Sequence, residues 1–111
     1  MGARLVVSFG DTSHIYLHWG GEYADQIHET MDAFFADVAE LSDRRLDDMP
    51  YLAAKLVVWA ANRGRMDGAH PLAFLGVGVV SSDDWGDAHV QVSNGGTWKI
   101  VRELGDRRVQ A

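Results

Sequence analysis

Two short runs of alternating hydrophobic and polar residues open the chain. Residues 3–9 and 14–19 each alternate with a period of two, which is typical of a strand with one buried face. Between them lies the segment Gly10-Asp11-Thr12-Ser13, whose residue types favour a tight turn. The pattern therefore predicts an antiparallel hairpin. The positions predicted to face the core are Leu5, Val7, Phe9, Ile15, Leu17 and Trp19.

Helical periodicity replaces this alternation after Gly20-Gly21. From residue 22 to about residue 41, the hydrophobic residues recur at intervals of three or four. This spacing is typical of a helix with a single buried stripe, and we expect one helix over this range. The predicted stripe consists of Tyr23, Ile27, Met31, Phe34, Val38 and Leu41.

A second helix is predicted over residues 49–63. Pro50 falls in its first turn, where proline removes no hydrogen bond, and a glycine follows its basic last turn. Residues 51–61 are almost entirely hydrophobic, so this helix is apolar on nearly all sides. Such a helix is usually covered on two sides. We therefore expect Leu56 and Trp59 to be largely buried, either in the core or in a homodimer interface.

Three further strands are predicted in the last third of the chain, over residues 72–80, 88–93 and 97–102. The polar segment 81–87 and the turn Asn94-Gly95-Gly96 separate them. The predicted order is therefore two strands, two helices and three strands.

This order predicts an α+β fold with about five mostly antiparallel strands and two helices packed on one face. We expect one domain over residues 1–111, because a single hydrophobic core typically serves about 100–150 residues. Residues 106–111 are expected to form a frayed tail. The order of the strands in the sheet stays open at this point.

Composition excludes some classes of function. The chain has 10 Lys and Arg against 16 Asp and Glu, a net charge of −6, and no Cys. An acidic chain is a poor candidate for binding nucleic acid backbones, which are recognised through cations. It also lacks a thiolate for metal binding or nucleophilic attack. With no signal peptide and no hydrophobic run of about 20 residues, we expect a cytoplasmic protein without a membrane anchor.

The negative charge is concentrated early in the chain. No Lys or Arg occurs between Arg4 and Arg44. Four acidic residues of the first predicted helix follow a spacing of three, four and three, which places them on one face. These residues are Glu22, Asp25, Glu29 and Asp32. The pattern indicates either a solvated helix face or a surface for a basic protein partner.

A second candidate surface is the predicted polar face of the second strand, which carries His14, Tyr16 and His18. Strand residues four apart are separated by about 13 Å, so the two histidines cannot share a zinc ion, whose bonds to nitrogen are about 2.0–2.1 Å long. We predict no metal, no cofactor and no catalytic residue. Trp85, beside acidic residues in a predicted turn, is a third candidate contact.

The segment Tyr16-Leu17-His18-Trp19-Gly20-Gly21 resembles a recurrent opening of small phage and prophage proteins, in which a strand ending Y-x-H-W-[GD]-G precedes an amphipathic helix. Residues 51–55 and 57–59 are similar to actinobacterial and actinophage relatives of this type. The resemblance implies a phage-associated origin and no established activity.

Together these observations favour a phage-derived accessory protein that binds a host or phage protein without catalysis, in the host cytoplasm. Two alternatives remain at this stage. One is a small-ligand binder or hydrolase that uses the face of His14, Tyr16 and His18, and the other is a minor virion component.

Overall fold

The predicted hairpin forms two adjacent strands of the sheet. The computed structural model describes residues 4–18, 22–64, 68, 70–72 and 76–103. Strands β1 (Leu5–Phe9) and β2 (Ser13–Leu17) pair antiparallel, with Leu5 opposite Leu17 and Phe9 opposite Ser13. This register places the predicted inward residues of both strands on the same face. The predicted inward residue Trp19, the neighbouring Gly20-Gly21 and the predicted tail 106–111 lie outside the described residues.

Three later strands complete a five-stranded sheet. They are β3 (Val77–Val80), β4 (Ala88–Ser93) and β5 (Thr97–Arg102), and the strand order is β3-β2-β1-β4-β5. Strand β1 pairs with β4 in parallel, and the remaining pairings between these strands are antiparallel. The predicted α+β class, the order of the elements and the mostly antiparallel sheet are confirmed.

The first predicted helix is divided into two. Helix α1 (Glu22–Asp25) and helix α2 (Ile27–Ala39) are separated at Gln26, whose φ of −123° and ψ of 57° are not helical. The Gln26 carbonyl nevertheless accepts hydrogen bonds from the Thr30 amide and hydroxyl, so it begins the new helix. The predicted stripe is buried as far as Val38, but Leu41 lies beyond the end of α2 and is exposed.

Helix α3 (Met49–Gly64) has the predicted bounds. Its side chains Leu52, Leu56 and Ala60 are fully buried against the sheet. Leu56 is buried in the core as predicted and Trp59 is partly buried, whereas Tyr51 and Val58 are exposed. The helix therefore rests on the sheet with one side and presents an apolar side to solvent.

The main core lies between the sheet and α2 with α3. Phe9 of β1 contacts Phe34 of α2 edge-on, with 6.4 Å between ring centroids, and Phe34 contacts the partly buried Trp59 of α3 at 5.7 Å. Val90 and Val92 of β4 are buried in the same cluster. Both helices thus cover one face of the sheet.

Two details of the strands differ from the prediction. The third strand is shorter than residues 72–80, because Leu72 lies in a turn and is exposed. Val6 and Ser8, which point away from the helices, are fully buried rather than solvated. A further layer must therefore cover the sheet face that carries them. In the described part of the chain, no helix combines the length and the hydrophobicity needed to cross a lipid bilayer.

Candidate functional site

A short turn covers the sheet face opposite the helices, which we call the outer face and define by Val6, Ser8, His14, Tyr16 and His89. The turn Asp83–Trp85 is a single 3-10 turn, and the hydroxyl of Ser82 accepts a hydrogen bond from the Asp84 amide at its start. Gly86, which follows it, is buried against Val6. The turn thus supplies the missing cover of this face.

Hydrogen bonds hold the turn at both ends. The guanidinium of Arg102, on β5, donates to the carbonyls of Asp83 and Gly86 at 3.2 and 2.9 Å. The amides of Asp87 and Ala88 donate to the Arg4 carbonyl at 2.9 and 3.1 Å. The turn is therefore a fixed part of the structure, joined to both the start of β1 and the end of β5.

A chain of hydrogen bonds lies beneath the turn. The Ser8 Oγ lies 2.7 Å from His14 Nδ1 and 2.9 Å from His89 Nε2. His89 Nδ1 lies 3.5 Å from a carboxylate oxygen of Asp83, which is too long for a good hydrogen bond and leaves that nitrogen without a hydrogen-bond partner. Asp83 also lies 3.7 Å from Arg102.

The contacts restrict the positions of the protons. The Ser8 hydroxyl has one hydrogen to donate, so only one of the two histidines can accept from it. The Asp83 carboxylate favours a proton on the His89 Nδ1 that faces it, which leaves His89 Nε2 to accept from Ser8. His14 Nδ1 then donates to Ser8 Oγ. This assignment satisfies both the donor and the acceptor function of the buried hydroxyl.

Burial of His89 lowers its pKa below the ordinary value of 6.5. The nearby charges of Arg102 and His14 lower it further, while the Asp83 carboxylate opposes the shift without overcoming the cost of desolvation. The folded protein therefore holds His89 neutral at neutral pH.

We expect the stability of the protein to fall as the pH drops below about 6.5, where His89 of the unfolded chain gains a proton that the folded chain resists. The unfolded state binds more protons than the folded state in this pH range, so the free energy of unfolding must rise with pH. Urea unfolding followed between about pH 7 and about pH 5 measures this effect. In His89→Gln the loss of stability over that interval should be smaller than in the wild type, and an equal loss in both proteins would contradict the assignment.

Ser8, His89 and Asp83 follow one another in space in the same order as the serine, histidine and aspartate of a serine hydrolase triad. A substrate cannot reach the Ser8 hydroxyl in this conformation, because Ser8 has no exposed surface. Strand β1 is also paired on both sides, so its amides are committed to the sheet rather than free to stabilise an oxyanion. In this arrangement Ser8 and His89 lie buried between the turn and the sheet.

Above the buried network, the outer face exposes a different group of residues. Trp85 is 54% exposed at the end of the turn. Arg4 is exposed beside it and lies over the ring of Tyr16, with 5.8 Å from the guanidinium carbon to the ring centroid. The Tyr16 ring in turn contacts His18 and covers Gly78, where a side chain would approach it to 3.0 Å. We call Arg4, Tyr16 and Trp85 the Arg-Tyr-Trp surface.

This surface includes a shallow recess of about 260 Å³ lined by Arg4, Asp84 and Trp85. The recess lies next to an exposed cation and an exposed aromatic ring on a fixed backbone. It can accept a small side chain of a partner while Trp85 enters a pocket on that partner.

The structure separates the candidate residues into two groups. His14, Tyr16, His18 and Trp85 lie on or beside the outer face, with the histidines and Tyr16 partly buried. The acidic residues lie on the helical side. Asp25, Glu29 and Asp32 are exposed, while the side chain of Glu22 falls outside the described part of the chain. The break at Gln26 interrupts the predicted row, so only Glu29 and Asp32 share α2.

Sequence reasoning did not identify the residues that hold the turn. The alternation of β1 places Ser8 on the face opposite Leu5 and Val7, and its only sequence signal is a polar residue within a hydrophobic strand. His89 reaches Ser8 only through the pairing of β1 with β4. Arg102 lies beside His89 and Asp83 only through the pairing of β4 with β5.

Comparison of the chain with models of known protein families, with curated proteins and with solved structures gives no match. Among the described residues, no group of three or more His, Cys, Asp or Glu is arranged to hold a metal ion. Functional inference therefore rests on the geometry of the site.

Proposed function

We propose that this chain is a phage-derived accessory protein that binds a host or phage protein through the Arg-Tyr-Trp surface. The observation that carries the proposal is the presentation of Arg4, Tyr16 and Trp85 side by side on a fixed turn and a sheet face. Arginine, tyrosine and tryptophan are the residue types that most often contribute most of the binding energy at protein interfaces. The phage origin is supported by the resemblance of residues 16–21, 51–55 and 57–59 to phage and prophage proteins.

The rigidity of the turn supports a role in binding. Association costs less free energy when the contacting side chains are already held in place, because little conformational entropy is then lost. The backbone that carries Trp85 is held by Arg102 and by the Arg4 carbonyl before any partner arrives. Trp85 therefore offers a large apolar area on a prearranged support.

The chemistry of the surface indicates what the partner carries. Arg4 donates hydrogen bonds to carboxylates or carbonyls, and the Trp85 ring requires an apolar pocket. A partner of this kind presents an acidic residue within reach of a hydrophobic recess.

Trp85→Ala is expected to weaken binding to the partner by at least about 30-fold, which corresponds to the loss of about 2 kcal/mol typical of a central aromatic contact. The partner is first captured on immobilised wild-type protein and identified, and the purified partner is then titrated against each variant. Val79→Ala is the matched control, because Val79 is also exposed but lies opposite the inward-facing Ile15, away from the outer face. A partner that binds Trp85→Ala as tightly as the wild type would refute the proposal.

The acidic surface of Asp25, Glu29 and Asp32 is the competing contact surface for a basic partner. The double charge reversal Glu29→Lys and Asp32→Lys distinguishes the two in the same titration at low and high salt. If the outer face is the contact, affinity and salt dependence stay close to those of the wild type. Weaker binding with a flatter salt dependence would show that the partner contacts α2 instead.

The alternative of a hydrolase on the outer face is tested with two further variants, Ser8→Ala and His89→Gln. A fluorophosphonate probe labels an activated serine hydroxyl, and Ser8 has His14 and His89 as hydrogen-bonding neighbours on this face. Labelling that disappears in both Ser8→Ala and His89→Gln would favour the hydrolase over the binding protein.

A further inference from the structure

An apolar groove separates α2 from α3 on the side of the molecule opposite the Arg-Tyr-Trp surface. Its volume is about 610 Å³, and Phe34, Val38 and Trp59 are among its apolar lining residues. Asp37 closes one end of the contact between the helices by accepting a hydrogen bond from Trp59 Nε1 at 2.7 Å. We call this feature the interhelical groove.

The rim of the groove carries exposed apolar side chains. Leu41 follows the end of α2, while Tyr51 and Val58 lie on α3, and all three are 43–59% exposed. A monomer gains nothing from leaving large apolar side chains around an apolar groove, because contact with water costs free energy in proportion to their area. The same surface thus has both a recess and the side chains that could fill such a recess.

The two walls of the groove carry charges of opposite sign. Helix α2 carries the acidic residues Glu29, Asp32 and Asp37 and has no Lys or Arg, and Glu40 follows it as the C-cap residue. Of these acids, Asp37 lines the groove. Helix α3 carries Lys55 and Arg63 and has no acidic residue, and Lys55 lines the groove. Lys55 lies 3.7 Å from the Tyr51 ring centroid, and Arg63 lies 4.6 Å from that of Trp59.

We propose that the interhelical groove is covered by the same surface of a second copy of this chain, in a two-fold dimer whose axis runs along the groove. A rotation about that axis places α2 of one protomer over α3 of the other, so an acidic wall meets a basic wall twice. An axis across the groove would place α2 over α2 and acid against acid. The charge pattern therefore selects both a second copy as the occupant and its orientation.

The helical layer supplies a large part of the surface that a dimer needs. Helices α2 and α3 have 13 and 16 residues, which at about 1.5 Å per residue gives a layer roughly 20 Å long. Two such helices packed side by side, each about 10 Å wide, have a flat outline of roughly 400 Å², and the relief of their side chains raises the accessible area toward the roughly 800 Å² that each partner buries in a stable complex. The dimer also leaves both Arg-Tyr-Trp surfaces facing outward.

The test is the mass of the wild-type protein in solution, measured by light scattering and sedimentation from about 1 to about 100 μM. The expected result is a dimer over the upper part of this range. Val58→Asp should weaken dimerisation by at least about 100-fold, because it places an unpaired charge in an apolar contact on both protomers. Val79→Asp is the matched control, since Val79 is also exposed but lies on the edge strand β3, and it should dimerise like the wild type.

Charge reversal tests the orientation. Glu40→Lys and Lys55→Glu should each weaken the dimer by about 10-fold, because each change sets like charges against each other twice. The double variant exchanges the signs of the two walls at these positions and should return to within about threefold of the wild type. Circular dichroism of each variant confirms that the monomer fold is unchanged.

A wild-type protein that stays monomeric at 100 μM would overturn the proposal, and so would a dimer that Val58→Asp leaves intact. A dimer that Val58→Asp dissociates but that the double charge variant does not restore would overturn the orientation. None of these outcomes bears on binding through Trp85, so failure of the dimer and failure of the proposed function are distinguishable.

Discussion

Leu56→Ala is expected to lower the free energy of unfolding by about 2–5 kcal/mol. Leu56 has no exposed surface and lies in the core cluster between α3 and the sheet. The substitution removes several methyl and methylene groups from a closely packed site and leaves a cavity that the surrounding strands cannot close. A loss of this size is a large part of the stability of a domain this small.

Urea unfolding at a low protein concentration measures the loss without a contribution from dimerisation. Val79→Ala is the control, because it removes similar atoms from an exposed position and should change the free energy of unfolding by less than about 0.5 kcal/mol. Similar unfolding curves for Leu56→Ala and Val79→Ala would show that α3 does not pack on the sheet through Leu56.

Local periodicity was sufficient to predict most of the elements. Strands β4 and β5 and helix α3 have the predicted bounds, because their hydrophobic patterns and their flanking turn residues agree. The break at Gln26 was not predictable in this way, since Tyr23 and Ile27 keep the helical spacing on both sides of it. Periodicity reports which side chains are buried and is insensitive to one non-helical residue between two helices.

The arrangement of the strands depends on contacts that local patterns do not contain. Strand β1 is paired in parallel with β4, with Val7 opposite Val90 at a separation of most of the chain. The same hydrophobic residues would be buried whichever strand lay beside β1, so the hydrophobic pattern does not determine the strand order. The Ser8–His89 contact exists only because of this pairing, which explains why the sequence predicted the partly buried Tyr16 and the exposed Trp85 as candidates but not the network beneath the turn.

The proposed binding surface and the proposed dimer interface lie on opposite sides of the sheet. The outer face is polar, aromatic and covered by one short turn, while the helical side is apolar and carries charged walls. A dimer through the helices would present two copies of the Arg-Tyr-Trp surface, and a partner with two matching sites would then bind with increased avidity. In this arrangement the acidic residues of α2 face the basic residues of the second protomer, so a separate basic partner is not needed to account for them.

Gly86→Ala is expected to be among the most destabilising small substitutions in the chain. A Cβ atom at this position would lie 2.6 Å from the Ala88 carbonyl oxygen and 2.7 Å from a methyl group of Val6. Because one obstacle is backbone and the other is a fully buried side chain, neither can move without displacing a strand. We expect the turn Asp83–Trp85 to lift from the sheet, at a cost near the upper end of the roughly 1–3 kcal/mol typical of overpacking.

Gly78→Ala is the matched control for Gly86→Ala. Its added Cβ would meet only the Tyr16 ring, at 3.0 Å, and a partly exposed ring can shift by a few tenths of an ångström. Hydrogen exchange of the Asp87 and Ala88 amides, which donate to the Arg4 carbonyl, reports the position of the turn directly. Exchange should accelerate at both amides in Gly86→Ala and stay near wild type in Gly78→Ala, and the first variant should also lose partner binding because Trp85 is no longer held. Unchanged protection of the two amides in Gly86→Ala would show that the turn is not fixed by its contact with Val6.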